Sequence, residues 1–147
     1  MYTNLLVATD GSKYSEKAVA HAIGLAGKLE ARITAFYAAP DYPDPVYSEG
    51  IIYETMSRKD YAAMAAADAE KILDKVAKKA AAAGVKCDTR HTLSRAPWEA
   101  ILAAAKKNKC DVIVMGSHGR GGLAALFLGS ETQKVLAQSK LPVIVAR

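Results

Sequence analysis

Asp111-Val112-Ile113-Val114-Met115-Gly116-Ser117-His118-Gly119 decides how this chain folds. Asp111 to Met115 reads as a buried strand: Val112 to Met115 is an unbroken apolar run, and alternation is the mark of a half-buried strand instead. Gly116 and Gly119 follow at once. After nine intervening residues comes Gly129-Ser130, where a helix over 130–139 is expected. Glycines let a main chain turn tightly and approach a ligand closely. A helix start behind them offers unpaired N–H groups and a partial positive charge, which suit phosphate. Strand, glycine turn and helix N-terminus in this order point to a nucleotide.

The rest of the chain alternates in the same way. Asn4 to Thr9 is an apolar strand. Asp10-Gly11-Ser12 is a turn, with Ser12 placed to cap a helix that runs to about Lys28. Arg32 to Ala39 is a second strand, rich in β-branched and aromatic residues. Pro40 to Gly50 holds three prolines and reads as a loop. The Ala-rich stretch from about Thr55 to Ala83 is a helix with Gly84 as its stop. Lys86 to Leu93 is a polar strand. Pro97 opens a helix that ends near Asn108. Pro142 to Ala146 is the last strand.

Strands that alternate with helices imply an α/β fold, one mostly parallel sheet with helices on both faces. The first and fourth strands suit its centre. The third, with Asp88, Arg90 and His91, suits a solvated edge. The last, Val143-Ile144-Val145, is apolar and invites pairing if its edge is open, so a homodimer through that strand is expected.

Size and composition bound the rest. A chain of 147 residues has the length of one domain, 1–147, and 51% hydrophobic residues are enough for a core. The net charge of +5 is spread along the helices and forms no basic patch, which argues against nucleic-acid binding. Cys87 and Cys110 are isolated and form no C-x-x-C, as expected of small apolar residues in a reducing compartment. No apolar run has signal-peptide or membrane-spanning length, so a cytoplasmic protein without membrane contact is expected.

Open α/β sheets bind ligands beyond the carboxyl ends of their strands, where the strand order reverses. Asp10 ends the first strand and Gly116 the fourth. If these strands are neighbours, both residues stand on the rim of one crevice.

With its nine-residue spacer, Gly116-x-x-Gly119…Gly129-Ser130 resembles the ATP-binding signature of the universal stress protein family. The opening Leu6-Val7-Ala8-Thr9-Asp10-Gly11-Ser12 and the ending Leu141-Pro142-Val143-Ile144-Val145 are similar to that family too. The resemblance implies a Rossmann-like, doubly wound sheet of five parallel strands in the order 3-2-1-4-5, and a dimer through the last strand. It also implies a site for ATP, or for ADP or AMP. In that site Asp10 would lie at the ribose or base, with Ala8 and Met115 beside it. Ala38 would offer its main chain to the adenine edge and Gly116 would line the ribose. Gly119, Gly129 and Ser130 would hold the phosphates, with Thr132, His118 and Arg120 within reach.

Plainer readings stand beside these. Ser130 with Gln133 fits a capping box, which uses the same N–H groups as phosphate binding. Asp10-Gly11 is a common turn pair. Trp98 reads as a packing residue. Glu131 complements the helix dipole but repels phosphate unless a divalent cation intervenes, an argument for Mg²⁺ or Mn²⁺ with the nucleotide. The sequence has no P-loop lysine motif, no H-E-x-x-H and no G-x-S-x-G. The expected function is a nucleotide-dependent sensor with an unidentified protein partner, slow in hydrolysis or autophosphorylation. An interaction module independent of nucleotide and a true ATPase or phosphotransferase are the alternatives.

Overall fold

The structure, a computed structural model, describes residues 1–53, 56–119 and 128–147. Its elements are β1 (Asn4–Ala8), α1 (Lys13–Leu29), β2 (Arg32–Pro40), β3 (Val46–Ser48), β4 (Ile51–Tyr53), α2 (Arg58–Ala82), β5 (Cys87–Ser94), α3 (Pro97–Lys107), β6 (Val112–Gly116), α4 (Ser130–Gln138) and β7 (Val143–Ala146). Five strands form one sheet in the order β5-β2-β1-β6-β7, and every pairing in it is parallel. With β3 and β4 set aside, this is the order 3-2-1-4-5. The order reverses between β1 and β6, so the ends of these two strands flank the switch point.

Alternation along the central strands sorts the core into two layers. Leu5, Val7, Val112 and Val114 point to one face, where Ala18, Val19, Ala22 and Ala26 of α1 and Ala69, Leu73 and Val76 of α2 cover them. Leu6, Ala8, Ile113 and Met115 point to the other, against Ile101, Ala104 and Ala105 of α3 and Val135 of α4. Leu5, Leu6, Val7, Val112, Ile113 and Val114 are fully buried. Each such side chain contributes about 1.5–3 kcal/mol by leaving water. The alanines on the helix faces let α1 and α2 lie close on the sheet. β5 is the half-exposed edge that its polar residues suggest, and β7, half-buried, is the opposite edge.

Local signals act where the sequence places them. Ser12 Oγ accepts from Ser15 N–H at 3.3 Å and Ser57 Oγ from Asp60 N–H at 3.1 Å, capping α1 and α2. Gly84 ends α2 with a φ of +71°, a conformation that favours glycine. Cys87 and Cys110 are free, and burial pushes both thiols up.

Three expectations need correction. The segment read as a loop contains a hairpin: β3 and β4 pair antiparallel around Glu49-Gly50, whose φ values of +51° and +79° suit a tight primed turn. The long helix begins at Arg58, since Ser57 takes its N-cap in extended backbone. β1 ends at Ala8, although Thr9 N–H still donates to Phe36 O at 2.9 Å.

Candidate functional site

A cleft of about 580 Å³ opens at the carboxyl ends of β1, β2 and β6. The end of β1 and the turn after it supply Ala8, Thr9 and Asp10. β2 supplies Phe36, Ala38 and Pro40, and β6 supplies Met115 and Gly116. His118, Gly119, Leu128, Gly129, Ser130, Glu131 and Thr132 form the far wall. The structure thus brings together all the sequence-predicted site residues except Arg120, which lies outside the described residues.

Asp10 shapes its turn: Oδ1 accepts from Ser12 N–H at 2.9 Å. Oδ2 lies 3.0 Å from where a Cβ on Gly119 would stand. The carboxylate therefore stands close against the glycine loop while it shapes the first turn, and the turn-forming and site-forming readings of Asp10 are compatible.

The glycines of the loop answer to close approaches. A Cβ on Gly116 would stand 2.8 Å from the carbonyl oxygen of Tyr14, so the end of β6 packs directly on the first turn of α1. A Cβ on Gly129 would come within 3.3 Å of His118 Cα and Ser117 O. Gly129 N–H donates to Ser117 O at 2.7 Å, and Thr132 Oγ1 donates to Gly116 O at 3.0 Å. Ser117 N–H reaches Ala146 O at 3.0 Å. The two ends of the glycine loop are thereby pinned to each other and to β7.

His118 is half-buried rather than exposed. Ser117 Oγ lies 3.0 Å from its Nδ1, and its ring sits 5.4 Å from that of Tyr14. Its Nε2 is buried and has no hydrogen-bond partner among the described residues.

The capping box at Ser130 does not form. Gly129 occupies the N-cap with no side-chain bond, Ser130 is the first helical residue, and Gln133 Nε2 donates to Leu128 O at 2.7 Å. α4 therefore starts without a side-chain cap among the described residues, and its first residues line the cleft. Glu131 stands in the first turn of α4, where the sequence reading puts it, and it has partners. Its Oε2 accepts from Trp98 N–H at 2.8 Å and its Oε1 lies 3.5 Å from Lys134 Nζ, so part of its charge is already engaged. Among the described residues no group of three His, Cys, Asp or Glu gathers as a metal cage.

Sequence reasoning missed Phe36, Pro40, Pro97 and Ile101, the apolar part of the wall. Pro97 and Ile101 belong to α3, and only the folding of α3 over β2 brings them to the cleft. The apolar character of 36 gave a core signal but not a site signal.

The doubly wound sheet, with a cleft at its switch point and an uncapped helix facing it, is the architecture of a nucleotide-binding α/β domain. The profile of the universal stress protein family matches residues 1–147, and the chain belongs to that family. It is 36% identical over 150 residues to a universal stress protein of Thermus aquaticus, across the whole of both chains. The structure of the universal stress protein UspA from Lactobacillus plantarum superposes with a TM-score of 0.78 at 25% identity, covering 99% of this chain and 98% of that one. A universal stress protein solved in complex with cAMP superposes at 0.70 with 26% identity, covering 99% and 97%. No described helix is long and apolar enough to cross a membrane.

Proposed function

We propose that this chain is a nucleotide-dependent regulatory protein of the stress response, whose cleft holds an adenine nucleotide, ATP in the first instance. The observation that carries this reading is the uncapped start of α4, with Ser130, Glu131 and Thr132 on the wall of a cleft whose other wall is apolar. Peptide N–H groups at a helix start seek an acceptor, and phosphate supplies one together with the charge that the helix dipole favours. Phe36, Pro97 and Ile101 offer apolar surface to a base, and Ala38 on β2 brings main-chain groups to its edge. The buried Nε2 of His118 gains a partner if a ligand oxygen reaches it. The relative solved with cAMP supports an adenine nucleotide as the ligand class.

A divalent cation, Mg²⁺ or Mn²⁺, accompanies the phosphates in this reading. It keeps most of its ligands from phosphate and water, with the Asp10 carboxylate close to Gly119. We assign binding and signalling, with hydrolysis or autophosphorylation slow at most. Arg120 is proposed as a phosphate donor. We also propose a cytoplasmic homodimer through β7, whose apolar Val143, Ile144 and Val145 are only half-buried at the sheet edge. A monomer by light scattering at micromolar concentration would remove the dimer.

Calorimetric titration with ATP and Mg²⁺, and then with ADP, AMP and cAMP, tests the nucleotide reading. Saturable binding of at least one of them is expected, and purified protein denatured into solution should release an adenine nucleotide detectable by mass spectrometry. A chain that binds none of the four refutes the reading.

A further inference from the structure

The N-terminus of α3 has no cap of its own. Ala96 stands at the N-cap and makes no side-chain bond, and Pro97 follows it. Trp98 N–H is therefore one of the orphan donors of the helix. Its acceptor comes from another helix: Glu131 Oε2, at 2.8 Å. Glu131 is the second residue of α4, in the turn that starts uncapped at the cleft. One carboxylate thus ties the starts of two helices together, with Pro97 and Ile101 lining the cleft on one side of the tie and Ser130 and Thr132 on the other.

The same carboxylate brings a negative charge to the helix start that we assign to phosphate. Lys134 stands 3.5 Å from its other oxygen, but both side chains are more than a third exposed, where ion pairs are weak. The charge is shared with Lys134, not cancelled.

We infer that Glu131 is a positioning and specificity-determining residue of the cleft. As a clasp it sets the spacing of α3 against α4. As a charge it weakens binding with every added phosphate, unless a cation comes with the ligand. This inference rests on the nucleotide reading above for its charge half; the clasp half stands on the hydrogen bond alone. The two roles separate chemically. Glu131→Gln keeps an oxygen that accepts from Trp98 N–H and loses the charge, whereas Glu131→Ala loses both.

The clasp is tested on the nucleotide-free chain, by hydrogen exchange of the Trp98 amide. Exchange in Glu131→Ala is expected to rise about tenfold over wild type, with Glu131→Gln staying within about twofold. Equal exchange in all three chains overturns the clasp. The emission of Trp98, the one tryptophan of the chain, should shift in Glu131→Ala and not in Glu131→Gln.

The charge is tested by titrating adenosine, AMP and ATP without divalent cation at low salt. Glu131→Gln should bind adenosine as wild type does, AMP about two- to fivefold more tightly and ATP more tightly still, with the gain shrinking as salt is added. Glu131→Ala should lose affinity for all three ligands relative to Glu131→Gln. A Gln variant with the same affinity change for adenosine and ATP, or with none, overturns the charge role. A wild-type chain that binds none of the three refutes the nucleotide reading and the charge role together, and leaves the Trp98 result to decide the clasp.

Discussion

Two strand-to-helix turns meet at the rim of the cleft, and they are finished differently. After β1, the chain satisfies itself: Asp10 Oδ1 takes Ser12 N–H, Ser12 Oγ takes Ser15 N–H, and Ser15 Oγ donates to Ser12 O. After β6, the loop is pinned at both ends, yet α4 starts at Ser130 with Gly129 as its N-cap and no side-chain cap bond. The chain thus spends serine hydroxyls on capping one helix start, whereas no side-chain cap among the described residues closes the other. A capped helix start is a structural joint. A helix start that faces a cleft with no side-chain cap among the described residues is a seat for an acceptor brought by a ligand.

The largest effect expected is at the joint between the two turns. In Gly116→Ala the added methyl meets the Tyr14 carbonyl at 2.8 Å, so main chain has to move. We expect a loss of about 1–3 kcal/mol in denaturant unfolding, together with at least a tenfold loss of ATP affinity. Gly24→Ala, in α1 with nothing near its Cβ position, is the control and should be neutral or stabilising by up to about 1 kcal/mol. If Gly116→Ala unfolds like wild type, the two turns are not packed as described.

Next in size are the two serines, which should divide stability from binding. Ser12→Ala removes the cap of α1 and should cost about 1 kcal/mol of stability with little change in affinity. Ser130→Ala removes no cap, so stability should hold while ATP affinity falls about fivefold, the equivalent of about one hydrogen bond. Urea unfolding and calorimetry on both variants decide it. A destabilised Ser130→Ala with unchanged affinity would reverse the comparison.

These residues also show what could be read before the structure. The alternation of apolar runs and helical patterns was legible, because each element must cover its apolar face locally. Ser12 was legible as a cap because its hydroxyl needs only a backbone N–H three residues on. Ser130 with Gln133 carried the same signal and misled, because Gly129 adopts the extended N-cap geometry one position earlier and leaves Gln133 to reach Leu128 O. The hairpin was hidden by Pro40, Pro43 and Pro45 before it and by Glu49, an uncommon residue for a left-handed turn position. At the site, the glycines and Asp10 were legible from spacing, whereas Pro97, Ile101 and the Glu131–Trp98 bond depend on how α3 and α4 pack, which no local pattern encodes.

The smallest effect concerns the β3–β4 hairpin. Arg95 holds the segment leading into it through Asp44 and the carbonyl of Tyr42. The hydrogen bond and charge of Arg95 hold the Asp44 carboxyl below its ordinary range. A lowered carboxyl contributes above its unfolded value and loses that contribution as the pH falls through the folded one. Amide protection in β3 and β4, corrected for intrinsic exchange, should therefore be level from neutral pH down to about pH 5 and decline below about pH 4, slightly because the pair is exposed.

The central claim is that the uncapped start of α4 is the phosphate seat and the capped start of α1 is not. A titration of ¹⁵N-labelled protein with ATP and Mg²⁺ tests this directly. The account predicts large, saturable shifts of the Gly119, Gly129, Ser130, Glu131 and Thr132 amides, with the Ser15 and Glu16 amides nearly still. Saturable binding that leaves the α4 amides unmoved would contradict it.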